Sequence, residues 1–223
     1  MADGGDPGMR EEFHTQLSGL REQLGEMCRL AATAMRSACE AVSRNDIDLA
    51  RRVVAADAEL DRARDRCDGT AQQLLALQAP VARDLRLVLT AVYCSDKIER
   101  MGDLAAHIAD SVRLAHPEPA VPPELAGAFD HLGRIAVEMA DRLTELVSRT
   151  DGCCFAELNE TDKTVDTLHA GVMATITDPA WSHGVPAAMS LALLARYYER
   201  FADQAVSVAK RLDFAVTGEI PAA

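Results

Sequence analysis

The placement of proline limits what this chain can fold into more than any other feature of its sequence. No proline occurs between Pro7 and Pro80, or between Pro123 and Pro179. Because proline inside a helix removes a hydrogen bond and clashes with the preceding turn, its absence allows both stretches to be helical throughout. Prolines instead cluster in the segment 116–123, near the midpoint of the 223 residues, and this cluster predicts a linker.

Apolar residues recur at three- and four-residue spacing on both sides of the linker, as they do along one face of a helix. In the first half, Asn45 and Asp46 interrupt this pattern and predict a turn that caps the next helix, and Asp151 and Gly152 are a similar turn signal in the second half. Aromatic residues make up only 4% of the chain, so its core must consist mainly of Ala, Leu, Val and Met, which suits closely packed helices. We therefore predict an all-α fold of two tandem antiparallel three-helix bundles.

The two halves carry the same pattern of charged residues, which indicates an internal repeat. The sixth predicted helix repeats charged residues of the third: Glu199, Arg200 and Asp203 correspond to Glu99, Arg100 and Asp103. The fifth repeats charged residues of the second in the same way: Asp162 and Asp166 correspond to Asp57 and Asp61.

The repeated residues include four pairs of carboxylates at i,i+4 spacing, which places both members of a pair on one helix face. The second and third helices of a bundle are neighbours, so each half can bring four carboxylates together, and Asp96 lies near the first set. Clustered oxygen ligands suit hard cations such as magnesium and calcium, and also iron, manganese and zinc. We favour metal binding over the alternative, an acidic face that only contacts solvent.

Several other classes of function are disfavoured. The formal net charge of −12 argues against a nucleic-acid-binding protein, which needs a basic surface. We find no glycine-rich phosphate loop, nucleophile elbow or HExxH motif. The first residues lack the pattern of a secretory signal, no apolar run is long enough to span a membrane, and the six cysteines form no disulfide-like framework, so we expect a cytoplasmic protein.

Two motifs then carry a resemblance to a known family. The third predicted helix begins with Arg-Asp-Leu-Arg at residues 83–86 and continues with Asp-x-x-Glu-Arg-Met-Gly-Asp at residues 96–103. The sixth carries Arg-Tyr-Tyr-Glu-Arg-Phe-Ala-Asp-Gln-Ala at residues 196–205. Together they resemble the PhoU family of phosphate-uptake and phosphate-regulon accessory proteins, in its actinobacterial, PhoY-like form. The resemblance covers residues 9–210, nearly the whole chain.

The resemblance implies two three-helix bundles whose acidic motifs bind multinuclear metal clusters at the surface. Iron or zinc is expected, with magnesium, manganese or calcium as alternatives. Carried onto this sequence, the implied ligands are Asp57, Asp61, Asp96, Glu99 and Asp103 in the first half, and Asp162, Asp166, Glu199 and Asp203 in the second. Arg196 stands where the first half has Asp96, so we expect the first site to bind metal if only one does.

The resemblance also implies a function. Family members are negative regulators that link the ATPase subunit of the phosphate ABC transporter to a sensor histidine kinase, and they reach the membrane only through such partners. We expect a non-enzymatic adaptor of this kind, in which a homodimer is plausible. Two alternatives stay open: a metalloenzyme such as a phosphohydrolase that uses the carboxylate clusters, and a helical scaffold whose acidic face only confers solubility.

The motifs and the prolines together predict the boundaries of the domains. They are a flexible extension at residues 1–8, the first repeat at 9–116, the linker at 117–123, the second repeat at 124–217 and a tail at 218–223.

Overall fold

A computed structural model describes residues 7–149 and 153–221 of the chain. Its described part contains six α-helices and no strand, which confirms the predicted fold class. The helices are α1 (Pro7–Arg44), α2 (Ile47–Gln78), α3 (Ala82–Ala115), α4 (Pro123–Ser148), α5 (Phe155–Thr177) and α6 (Gly184–Thr217). Helix α1 begins at Pro7, just inside the extension predicted for residues 1–8, and the predicted turn at Asp151 and Gly152 lies outside the described residues.

The predicted turn between the first two helices is confirmed, and its capping residue is Asp46. The Asp46 carboxylate accepts hydrogen bonds from the backbone N–H groups of Asp48 at 3.0 Å and Leu49 at 2.9 Å. These groups have no partner within the helix, so the cap stabilises the start of α2. The side chain of Asn45 donates to the carbonyl of Pro117 at 3.1 Å, which ties this turn to the linker between the two halves.

Helix α5 is capped from outside by a residue of α6. Asp213 is buried, and its two carboxylate oxygens accept hydrogen bonds from the N–H groups of Cys154 and Phe155, both at 3.1 Å. A negative charge at a helix N-terminus is favourable because the unpaired N–H groups there carry partial positive charge. Asp213 therefore joins the end of α6 to the start of α5.

The two bundles pack against each other along their length. Helices α1, α2 and α3 form the first bundle and α4, α5 and α6 form the second. Helix α1 also contacts α4, and α3 contacts α6, so these four helices form the centre of the molecule. Within the described residues, α2 and α5 contact only helices of their own bundle, and they lie on the outside. Each acidic cluster therefore lies where an outer helix meets a central one.

The core confirms the expectation of few aromatic and many small or flexible side chains. Tyr198 and Phe201 are fully buried, and most of the other buried core residues are alanine, leucine, valine and methionine, such as Met27 and Leu132. Small side chains allow helix axes to approach closely, so the core is built from close helix packing rather than from large rings. No helix in the described part of the chain combines the length and the apolar character needed to cross a membrane.

Candidate metal centres

The first acidic cluster lies between α2 and α3. Asp57 and Asp61 stand on α2, and Glu99 and Asp103 stand on α3. Burial raises the pKa of Asp57 from an ordinary 3.8 to about 6, and repulsion from Asp103, Asp61 and Glu99 adds to the rise, together with a hydrogen bond shared with Asp103. The carboxylates of both helices are thus close enough to act on one another, as the spacing predicted.

A glycine next to this cluster allows the two helices to come together. A Cβ atom on Gly102 would lie 2.3 Å from Cδ2 of Leu60 and 3.3 Å from Oδ1 of Asp57. The first distance is far shorter than a van der Waals contact, so a larger residue would force either the end of the Leu60 side chain to shift or α3 to move away from α2. Gly102 directly precedes Asp103, and its missing side chain brings that carboxylate up to Asp57.

An arginine that the sequence analysis did not single out also belongs to this cluster. Nη1 of Arg64, on α2, lies 3.3 Å from Oε1 of Glu99, and its Nε lies 3.8 Å from Asp68. Burial and the charge of Asp103 raise the pKa of Glu99, and Arg64 opposes this rise. Arg64 follows Asp57 at i,i+7 spacing, which places it on the same face of the helix. This spacing is the feature of the sequence from which Arg64 could have been predicted to lie at the cluster.

Asp96 lies at the edge of the first cluster. It forms ion pairs with Arg100 at 3.3 Å and Lys97 at 3.9 Å, and its side chain is 44% exposed. Its charge contributes to the raised pKa of Glu99 less than burial and the charge of Asp103 do. The structure therefore brings together four of the five residues predicted for this half, with Asp96 outside them.

The second acidic cluster repeats the arrangement between α5 and α6. Burial raises the pKa of Asp162 to about 6, and the charges of Asp166, Asp203 and Glu199 contribute to the rise. Glu199 is buried and is contacted by Arg196, from the preceding turn of α6. The charge of Arg196 opposes the rise in the pKa of Glu199, as Arg64 does for Glu99, although Arg196 lies on the central helix α6 and Arg64 on the outer helix α2.

A histidine lies beside the second cluster. The charge of His169 on α5 acts to lower the pKa of Glu199, which places its ring near that carboxylate. The spacing of Asp166 and His169 permits an imidazole ligand, but a surface histidine remains the simpler interpretation. The equivalent turn of α2 carries no histidine.

The donor atoms fit a cation that prefers oxygen ligands. Oδ1 of Asp162 and Oε2 of Glu199 are buried and have no hydrogen-bond partner. A buried carboxylate oxygen without a partner is costly, and a cation would satisfy it. Among the described residues, however, no three Asp, Glu, His or Cys side chains are placed to hold one ion together. Both clusters therefore have the right chemistry, but a ligand set would form only after their side chains rotate.

The fold and the two clusters define a class: a helical repeat protein with one acidic site in each repeat. The sequence profile of the PhoU domain matches residues 24–112 and 129–212, one match in each bundle. The chain belongs to the PhoU family.

Close relatives extend over nearly the whole chain. The phosphate-specific transport system accessory protein PhoU homolog 2 of Mycobacterium tuberculosis is 44% identical over 213 residues, which is 96% of this chain and 100% of the relative. PhoU homolog 1 of Mycobacterium leprae is 43% identical, with 96% of each chain covered.

Solved structures of the family show the same fold. The phosphate transport system regulatory protein PhoU from Streptococcus pneumoniae has a TM-score of 0.82 at 22% identity, with 95% of this chain and 100% of that chain covered. PhoU from Pseudomonas aeruginosa has a TM-score of 0.83 at 24% identity, with 93% and 100% covered.

Proposed function

We propose that this protein is a non-enzymatic adaptor that restrains phosphate uptake and phosphate-starvation signalling. The observation that carries the proposal is the repetition of one acidic cluster at the same helix junction in both bundles of a PhoU fold. The mycobacterial relatives are named as accessory proteins of the phosphate-specific transport system. The solved structure from Streptococcus pneumoniae is named as a regulatory protein of the phosphate transport system. By this proposal the chain acts in the cytoplasm, where it binds the ATPase subunit of the phosphate ABC transporter and a sensor histidine kinase.

Both acidic clusters would hold cations in this proposal. In the first, the ligands would be Asp57, Asp61, Glu99 and Asp103, with Asp96 within reach at the edge; in the second they would be Asp162, Asp166, Glu199 and Asp203. When bound, iron or zinc, or else magnesium, manganese or calcium, would supply the positive charge that the carboxylates now lack. The side chains would then join α2 to α3 and α5 to α6 across each junction, and so stiffen the outer face of each bundle.

The arginines beside the clusters would regulate this binding. Arg64 and Arg196 each contact the glutamate of their cluster, so they neutralise part of its negative charge when no cation is present. Each arginine contacts Oε1 of its glutamate, so a cation that binds the glutamate through both carboxylate oxygens must displace the arginine. Cation binding would thereby release one guanidinium from each cluster, and this changes the charge presented to a partner protein.

The proposal is tested by deleting the gene in a strain with no other gene of the family and measuring a phosphate-starvation reporter in high phosphate. We expect the reporter to switch on, and the wild-type gene to restore repression. The double variant Asp57→Asn/Asp103→Asn should fail to restore it, whereas Glu59→Gln, an exposed carboxylate on the same helix, should succeed. Repression that persists in the deletion strain would contradict the adaptor function.

Purified protein provides a second test, which separates the adaptor from the phosphohydrolase. We expect no turnover of a phosphomonoester with any of the five metals, and retention of the transporter's ATPase subunit on the immobilised chain. Turnover that disappears in Glu99→Gln would show an enzyme instead. Sedimentation of the same sample reports whether the chain is the expected homodimer.

A further inference from the structure

We propose that a cavity at one end of the molecule binds an amphipathic anion, a free fatty acid whose chain enters the core and whose carboxylate meets arginines at the mouth. The cavity has a volume of about 390 Å³ and lies among α1, α3, α4 and α6. Pockets for small molecules begin at about 300 Å³, so it is large enough for a ligand of this class. It is separate from both acidic clusters, and it does not depend on the function proposed above.

The inside of the cavity is apolar. Each of the four helices contributes a leucine to its wall: Leu20 from α1, Leu87 from α3, Leu146 from α4 and Leu212 from α6. Apart from Ser18 and Thr90, the uncharged residues of the lining are leucine, alanine and valine, so the wall offers few partners for a polar ligand. An alkyl chain is the group that such a wall accommodates best, because it leaves water without needing hydrogen bonds.

The mouth of the cavity is positively charged, although the whole chain carries −12. Three arginines line it, Arg21, Arg83 and Arg149, against one acidic residue, Asp84. Arg21 is held in place by a hydrogen bond of 2.6 Å from its Nε to the carbonyl of Val147. Within the described part of the chain, Arg83 and Arg149 have no ion pair, so two guanidinium groups are available to a ligand.

The charge and the wall together select the ligand class. Guanidinium groups bind carboxylates through paired hydrogen bonds, which explains a preference for an acid over an alcohol of the same length. Inorganic phosphate would meet the arginines but leave the apolar wall empty. A metal ion would be repelled by the net positive mouth. A fatty acid suits both parts of the cavity, because its carboxylate can bind the arginines and its alkyl chain can fill the space between the apolar walls.

The test is calorimetric titration of the full-length chain with dodecanoate below its micellar concentration. We expect one dodecanoate per chain, clearly weaker binding of dodecanol and no detectable binding of inorganic phosphate at this site. The double variant Arg83→Gln/Arg149→Gln should weaken dodecanoate binding by about tenfold or more, since hydrogen bonds to charged groups contribute most to such contacts. Arg134→Gln, an exposed arginine of α4 far along the helix, should bind as the wild type does.

A second variant tests the wall of the cavity. Ala215→Leu extends a side chain into the space at the end of α6 and should weaken dodecanoate and dodecanol alike, while circular dichroism shows that the helices are intact. The proposal is overturned if dodecanoate does not bind, if dodecanol binds equally well, or if the double arginine variant binds unchanged. It is also overturned if phosphatidylglycerol vesicles retain the protein while free dodecanoate does not bind, because this end would then be a membrane-docking surface.

Discussion

Replacing Asp57 by asparagine should stabilise the metal-free protein at neutral pH. Its pKa is raised from 3.8 to about 6, so the folded state disfavours the charged form. At 1.36 kcal/mol per pKa unit the full shift corresponds to about 3 kcal/mol. Asp57 is only half-buried, so screening by water reduces the expected gain to about 1 kcal/mol. For a chain of this size, this raises Tm by about 2–4 °C.

The pH dependence gives the sign of this effect a separate check. Because the folded-state pKa lies above the unfolded one, the folded state binds more protons, and stability rises as pH falls through about 6. Asp57 in the wild type is then neutral as well, so the advantage of Asp57→Asn should shrink steadily towards pH 4.

The assay is thermal unfolding followed by circular dichroism, in chelator, at pH values between 4 and 8. Glu59→Gln on the same helix is the matched control, because it removes one exposed carboxylate outside the cluster. A lower Tm for Asp57→Asn at pH 7.5 in chelator, or a gain that persists unchanged at pH 4, would refute the claim that the folded state disfavours the charged form of Asp57.

Three further changes test the packing. Gly102→Ala should destabilise the protein by about 1–3 kcal/mol in urea unfolding, since the added methyl group overlaps a leucine of α2. Gly127→Ala, with open space around it, should instead stabilise by about 0.5–1 kcal/mol, and equal effects would contradict the close approach. Asp213→Ala should cost about 1–3 kcal/mol because two buried N–H groups lose their acceptor; an unchanged urea midpoint would exclude the cap. Among the described cysteines, Cys153 is exposed and should react first with a thiol reagent in the folded protein, as mass spectrometry of the labelled peptides would show.

The local features of the fold were predictable from the sequence because they depend on neighbours along the chain. Proline placement and apolar spacing predicted six helices, and Asn45 and Asp46 predicted the first turn correctly. The i,i+4 pairs also predicted that carboxylates of α2 and α3 would meet, which the raised pKa of Asp57 supports. These inferences needed only the helical period and the rule that consecutive helices pack as neighbours.

Contacts between the two bundles were not predictable in the same way. Apolar spacing shows which face of a helix is buried, but not which distant helix covers it. Arg36 of α1 therefore gave no sign of its ion pair with Asp141 of α4, with Nη2 at 2.7 Å from the carboxylate. The same limit hid Arg149 and Arg83, which the fold brings to the mouth of one cavity from separate halves of the sequence.

The central claim is that both acidic clusters bind cations, and equilibrium dialysis of the metal-free protein against manganese or zinc tests it most directly. We expect the wild type to bind ions in both halves. The double variant Asp57→Asn/Asp103→Asn should no longer bind ions at the first cluster. The double variant Asp162→Asn/Asp203→Asn should no longer bind ions at the second cluster. Glu59→Gln should bind as the wild type does. Equal metal content in the wild type and in a chain carrying all four cluster substitutions would contradict the claim.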